Sequence, residues 1–433
     1  MNVTQEQVSS SVPEAPTWLG IKLPPTFRAF RHRNYRLYWF GQLISLIGTW
    51  MQNVAQPWLV YRMTGSPMAL GLVSFSSTLP ILLLAPVGGV IADRMNKYKL
   101  ILATQVVAMV LAFILGALAW FNVVQVWMVA LIAFCLGISN AFDMPARQVF
   151  VAETVGKEDL MNAIALNSTM FNLARILGPA IAGLLVASVG EAGAFLLNGV
   201  SYIAVIAMLL MMHMPPALTQ PKHSGGSVLA NLIEGFRYVR SDVTARSLLM
   251  IVAVSSIFGM MYSTLMPVFA KDVLHEDAVE QGLMLSAVAA GSLVSALLLA
   301  TLNIKNRGPV IIGGSLVFAV ALLAFAFSRS FMVSMLILPF MGGAFLAQMN
   351  STQTVLQTNV PDQLRGRVMG VYMMSVRGMQ PLAGLLGGTL ATLFAAWYGG
   401  ENGAPLAVMV GGVVCLLSAL FIAWRVPFLR KLE

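Results

Sequence analysis

The 433-residue chain is 58% hydrophobic and 10% charged, against roughly 25% charged in an average soluble protein. That leaves too little polar surface to cover a water-soluble globule, so composition points to a multi-span membrane protein. A net charge of +9 invites a nucleic-acid partner, but its placement in short loops, set out below, assigns it to membrane topology and excludes that class.

Residues 1–35 form an N-terminal tail and interfacial segment. The first 27 residues lack an apolar run, so no cleavable signal is expected. The following FRAFRHRNYR mixes aromatic and basic residues and is expected to lie on an anionic membrane surface. A bilayer core takes ~20 apolar residues per helix. Twelve such runs follow. Six, at 36–62, 68–91, 98–119, 126–147, 162–188 and 192–214, make a first bundle over 36–214. Six more, at 246–270, 281–303, 308–328, 331–356, 368–397 and 404–425, make a second over 246–425. The linker 215–245 starts rich in Pro and Gly and ends as an amphipathic helix, with Leu229, Ile233, Phe236 and Val239 against Glu234, Arg237 and Arg240. A short tail, 426–433, closes the chain.

Lys and Arg set the orientation. With both termini cytosolic, the inner segments hold among others Arg28, Arg31, Arg33, Arg94, Lys97, Lys157, Arg237, Arg240, Arg365 and Arg367, while the outer loops keep only Arg62, Lys271 and Arg329. The two cysteines, Cys135 and Cys415, sit apart in apolar runs and read as small core residues; no metal-ligand spacing and no cofactor motif is present. No catalytic constellation is expected, and nothing demands more than a monomer.

Along the first helix Gln42, Ser45, Thr49, Gln52, Asn53 and Gln56 fall on one face. Two readings stand: the lining of a central cavity, or polar glue between packed helices. Trp50, inside that stripe, is either an interfacial anchor or a surface on which a flat ligand stacks. Tyr262 on the seventh helix, Gln348 on the tenth and Arg377 on the eleventh are further cavity candidates. The 28 methionines suit either a pocket for varied apolar ligands or plain apolar filling.

Several anchors recur in order between the halves. Pro57 matches Pro267, Gly71-Leu72 matches Gly282-Leu283, and Gln148 matches Gln353. Arg175 and Pro179 match Arg377 and Pro381. An ordered set of this kind predicts a parallel repeat of two related bundles around a central cavity. The embedded arginines are costly, by ~2.5–3.5 kcal/mol at mid-bilayer on insertion scales. Each either pairs within its bundle or binds an anionic substrate.

The segment GGVIADRMNKYK (88–99) resembles motif A of the major facilitator superfamily, through Gly89, Asp93, Arg94, Asn96 and Lys97. The resemblance implies a latch on the cytosolic side. Asp93 would meet the N-terminus of the eleventh helix, and the basic residues would pair with an acid near the end of the fourth, for which Asp143 is the candidate. The second-half counterpart, NIKNRG (303–308), lacks the aspartate. ARILGPAIAG (174–183) resembles the motif C of antiporters in that superfamily, with Gly178, Pro179 and Gly183 in place; it implies tight helix packing and export rather than uptake. Together with NAFDMPARQ (140–148) and AFLLNGVSY (194–202), these segments resemble the enterobactin-exporter-like, or transmembrane secretion effector, subgroup.

The resemblance implies twelve transmembrane helices in two pseudo-symmetric six-helix bundles. It also implies export across the inner membrane of a siderophore-like or other amphipathic small molecule. A broad multidrug antiporter and a lipid or lysophospholipid flippase are the alternatives. No nucleotide-binding loop is present, so a proton gradient is the expected drive. Asp143 is the deepest acid, and proton carriage competes with the latch role there.

Overall fold

A backbone surrounded by hydrocarbon must hydrogen-bond to itself, and an α-helix satisfies its N–H and C=O groups locally. The computed structural model describes residues 17–18, 21–22, 25–213, 228–302, 304 and 306–426; inside its helices, the side chains of 85–87, 89, 90, 92–94 and 228–231 lie outside the description. A two-residue bridge between Thr17–Trp18 and Ile21–Lys22 and a 3-10 turn, Pro25–Arg31, precede the helices. Then come α1 (Arg33–Thr64), α2 (Pro67–Arg94), α3 (Lys97–Trp120) and α4 (Val126–Leu210). α5 (Val228–Ser241), α6 (Val243–Val254) and α7 (Met261–Val268) follow, with π turns Ser255–Gly259 and Phe269–Val273 flanking α7. The chain ends with α8 (Ala278–Thr301), α9 (Arg307–Phe327), α10 (Phe331–Asn359), α11 (Asp362–Arg377), α12 (Gln380–Tyr398) and α13 (Gly400–Arg425).

Among the described residues, nine helical stretches are long and apolar enough to cross a membrane. The 85-residue α4 is one stretch in that count, yet it breaks at Gly156 and Gly190, where φ is 71° and 74°. Only glycine takes such angles at no steric cost, and one such residue turns the chain without a loop. The charged stretch 153–159 is therefore helical up to and beyond Gly156, with Glu158 and Asp159 in the first turn after the break, where acids favour a helix start. α1 is absent from the nine because its Gln, Ser and Asn residues dilute its apolar character. Elsewhere the ends are set by side chains. Ser66 accepts from the Ala69 N–H, Asn96 from Lys99 and Asp242 from Ala245, at 3.3, 3.1 and 2.6 Å.

The linker helix α5 buries only part of the apolar face expected. Gly235 and Val239 are buried, whereas Ile233 and Phe236 stay 51% and 47% exposed. The physical reason is that α5 lies on α11: a Cβ on Gly235 would fall 2.6 Å from the Arg367 carbonyl oxygen, and Glu234 pairs with Arg367. Leu229 lies outside the described side chains.

First-half and second-half helices meet along two antiparallel seams. On one, α2 crosses α12: a Cβ on Gly71 would lie 2.7 Å from the Gly384 oxygen and 3.2 Å from the Gly388 Cα. On the other, the second segment of α4 crosses α8: a Cβ on Gly183 would lie 2.6 Å from the Ala278 oxygen, and one on Gly282 would lie 2.2 Å from the Pro179 oxygen. Glycine lets the backbones approach where no side chain fits. Hydrogen bonds join the halves at the same end. Tyr61 donates to Asp272, Ser286 to the Ile176 carbonyl at 2.7 Å, and Ser74 meets Thr264 at 3.4 Å. Lys271 sits over the Tyr61 ring, 5.7 Å from its centroid.

Candidate transport pathway

The α1 stripe divides between two environments. Gln42, Ser45 and Gln52 are buried. The Gln52 amide oxygen accepts from Asn198 at 2.6 Å, and its amide nitrogen donates to Gln56 at 3.3 Å. Thr49 meets the Tyr202 hydroxyl at 3.3 Å. This part of the stripe binds α1 to the last segment of α4. Gln42 Nε2 is buried with no partner among the described residues. Asn53 is exposed, and Gln56 is half-buried. Trp50 meets Phe171 edge-on at 6.3 Å and covers Gly178, where a Cβ would lie 2.3 Å from that of Trp50. The three small-residue positions of 174–183 thus serve two contacts: Gly178 receives α1, while Pro179 and Gly183 receive α8.

Asp143 is 7% exposed and holds a polar network in the first half. One carboxylate oxygen accepts from Thr104 at 2.7 Å and from Gln105 at 3.2 Å; the other pairs with Arg147, one helical turn on. Tyr38 of α1 lies within interaction range of Arg147. Of the basic residues expected to pair with Asp143, Lys97 pairs elsewhere. Lys97, 2% exposed, meets Glu153 at 3.2 Å. The reason is proximity along α4: Arg147 is already within one turn of Asp143, and Glu153 lies two to three turns further along, near the start of α3. The Gly89, Asp93 and Arg94 side chains lie outside the description.

In the second half, Gln348 is fully buried and exchanges hydrogen bonds with Ser255 at 3.0 Å in the π turn before α7. It ties α10 to α7. Tyr262 is 5% exposed and lies within electrostatic range of Arg175 on α4. Arg175 is half-buried and Arg377 exposed, and neither has a carboxylate partner among the described residues. The only hydrogen bond described for Arg377 runs to the Met144 sulfur of α4, at 3.8 Å.

A further cluster escaped the reading of the sequence. Asp159 is 1% exposed and gathers Arg28 at 3.0 Å, Arg31 at 2.6 Å and His32 at 2.7 Å. The basic–aromatic segment expected on a lipid surface is therefore held by the helix that restarts after Gly156. The Asn162 side-chain oxygen also accepts from the Ala29 N–H at 2.8 Å.

The chain is 27% identical over 363 residues to the Staphyloferrin A transporter of Staphylococcus aureus, covering 83% of this chain and 90% of that one. It is also 27% identical over 403 residues to the multidrug efflux pump Tap of Mycolicibacterium fortuitum, covering 91% and 96%. Among solved structures, a bacterial homologue of the human lysosomal transporter Spinster, in an inward-facing and unoccupied conformation, matches with a TM-score of 0.71 at 16% identity, covering 90% of this chain and 96% of that one. The family model described as transmembrane secretion effector matches residues 25–428. With that match spanning the α-helices from α1 to α13, the chain belongs to the transmembrane secretion effector family of membrane transporters.

Proposed function

We propose that the protein is a proton-driven exporter that moves a siderophore-like or other amphipathic small molecule across the bacterial inner membrane by alternating access. In this reading twelve spans form two six-helix bundles: α1, α2, α3 and three segments of α4, then α6–α7, α8, α9, α10, α11–α12 and α13. Both termini are cytosolic, and the chain works as a monomer. The observation that carries the reading is the pair of glycine seams. Backbone-to-backbone contacts at Gly71–Gly384 and Gly183–Gly282 are smooth enough for two bundles to rock against one another. Their concentration toward the end that holds Tyr61 and Asp272 supports a state closed on the outer side.

Asp143 is the proposed proton site. The Asp143–Arg147 pair is neutral as a unit, so a proton arriving on Asp143 leaves Arg147 without its counter-charge. Arg147 must then find another acceptor, and through Tyr38 its movement is felt on α1. The motif-A latch of Asp93 is retained as a proposal alongside it, with the Lys97–Glu153 pair as the cytosolic clamp between α3 and α4.

The test uses proteoliposomes with an imposed pH gradient. Asp143→Asn is expected to lose gradient-driven transport down to the uncoupled background while keeping substrate exchange without a gradient. Gradient-driven transport at the wild-type rate in Asp143→Asn overturns the assignment. Efflux of many unrelated compounds is the second reading, favoured by the equal identity to Tap; it expects unrelated cationic dyes to be expelled.

A further inference from the structure

Three cationic residues, Arg62, Lys271 and Arg329, stand in the links read as outer. Lys271 lies over the Tyr61 ring. The two arginines each line a cavity. The first cavity, of about 460 Å³, lies between the ends of α1 and α3 and the break in α4 at Gly190; Leu59, Arg62, Met63, Trp120, Asn122 and Glu191 are on its walls. Its size is that of a small-molecule site, roughly 300–1,000 Å³. The left-handed Gly190 turns the chain just before Glu191. The Glu191 carboxylate then takes the Arg62 guanidinium end-on, Nε at 2.7 Å and Nη2 at 3.2 Å. That pairing uses two of five N–H donors, and Nη1 has no acceptor among the described residues. A salt bridge that served only to tie α1 to α4 would need no hollow beside it. Trp120 on the wall is 62% exposed and its neighbour Phe121 73%, an aromatic rim of the kind that sits at headgroup level in a bilayer. A second cavity, of about 260 Å³, takes the matching place in the other half, between the end of α9 and the α12–α13 junction. Phe327, Arg329, Tyr398 and Asn402 line it, and no acid is among its described lining residues. Arg329 there donates to the Ala326 and Ser328 carbonyls at 2.9 and 3.0 Å.

We infer that the first cavity binds the headgroup of a phosphatidylethanolamine, its phosphate on Arg62, its ammonium on Glu191 and its glycerol against Met63 and Trp120. A guanidinium with N–H groups to spare suits a phosphate oxygen. The carboxylate beside it suits a primary ammonium, which carries three donors. A zwitterion answers both charges at once. Phosphatidylglycerol would bring a phosphate toward Glu191 with no cation to match it. Phosphatidylcholine has a cation that donates no hydrogen bond and is held best by a cage of aromatic faces, whereas one indole lines this cavity. The second cavity has the phosphate partner without the acid, so it has no means of choosing among the three lipids. Every lining residue of the first cavity belongs to the first half. The lipid is therefore a fixed fitting of that half and not cargo, and the inference does not depend on the exporter reading.

The test reads binding, not transport. Full-length protein is stripped of lipid in detergent, and native mass spectrometry follows binding of dioleoyl phosphatidylethanolamine, phosphatidylglycerol and phosphatidylcholine. The wild-type chain is expected to bind one phosphatidylethanolamine about tenfold to a hundredfold more tightly than either other lipid, the range of one hydrogen bond to a charged group. Glu191→Gln is expected to remove that preference, and Arg62→Gln to weaken phosphatidylethanolamine binding by the same factor. Ala192→Phe keeps both charges and fills the cavity, so it is expected to lose the tight lipid; it carries the test if a charge variant fails to fold, as melting in lipid-free detergent will show. Arg329→Gln is expected to leave the preference intact. Millimolar O-phosphoethanolamine, which has the headgroup without the chains, is expected not to displace the lipid. Equal binding of the three lipids by the wild-type chain overturns the inference, as does a full preference kept by Glu191→Gln or Ala192→Phe. Loss of the preference in Arg329→Gln moves the site to the second cavity, and displacement by O-phosphoethanolamine assigns it to a soluble ligand; either result also overturns it. Export stands or falls separately, on Asp143→Asn.

Discussion

At the scale of single residues, the buried charges show how a membrane transporter spends few ionisable groups and pairs most of them. Asp159 is the clearest case, with a side chain removed from solvent and two guanidiniums and the His32 ring within 3.0 Å. Its partners stay about one-third exposed, so water screens them and the cluster is worth less than a fully buried pair. Asp159→Asn keeps the shape and removes the charge. It is expected to cost about 1–3 kcal/mol, read as a lower denaturation midpoint, with the loss confined to the anchoring of residues 25–32. A midpoint equal to wild type would show that the shape alone holds the segment. The proposed proton site differs in kind: Asp143 and Arg147 sit on one helix turn, so their pairing survives any movement between helices, and only Tyr38, Thr104 and Gln105 register such movement.

At the scale of elements, glycine positions distinguish seams that slide from contacts that lock. A Cβ at Gly282 would lie 2.2 Å from the Pro179 oxygen and 3.1 Å from its carbonyl carbon. Both are backbone atoms and cannot turn aside. Gly282→Leu is therefore expected to push α8 off α4 at a cost of about 1–3 kcal/mol or more. Hydrogen–deuterium exchange should rise over residues 278–289 and transport should fall, while the distant contact of α5 with α11 stays unchanged. Leucine at Gly313, where a Cβ meets nothing within 4 Å, is the matched control and should leave both unchanged. The contrast within one residue type, glycine on helices of similar hydropathy, isolates backbone approach as the cause.

At the scale of the whole molecule, the links described between the halves gather toward one end. Tyr61–Asp272, Lys271 over Tyr61, and the contact of Gln281 with the Val54 carbonyl at 3.5 Å all lie there. Toward the opposite end, the described contacts between halves are Arg377 on Met144 and Gly378 against Leu82. If one end closes at the expense of the other, weakening the first shifts the population. Tyr61→Phe removes a hydrogen bond to a charged group, worth about 1.5–3 kcal/mol, which is roughly a tenfold to hundredfold change in the ratio of states. Spin labels at residues 64 and 275 should then show a longer distance as a major population. An unchanged distance distribution would mean that the glycine seams alone hold that end shut.

The sequence by itself determined the membrane-spanning helices, because apolar runs in hydrocarbon have one local solution for their backbone. It also determined the family, because turns such as GGVIADRMNKYK and packing faces such as ARILGPAIAG need particular small and charged residues at fixed spacing. Some pairings were legible too: Asp143 and Arg147 stand four apart on one helix. Other partners came only with the tertiary structure. Lys97 with Glu153, Asp159 with Arg28, Arg31 and His32, and Gln52 with Asn198 join positions far apart in the chain, which no local period encodes. Gln348 looked like a cavity residue because it is polar, and the fold buries it against Ser255. Arg175 and Arg377 looked like structural arginines because most embedded charges find a partner. Only the tertiary structure showed that neither has a carboxylate partner among the described residues. Local physics selects helices and their faces; which face meets which neighbour is a property of the packed whole, and the candidate site is made of those meetings.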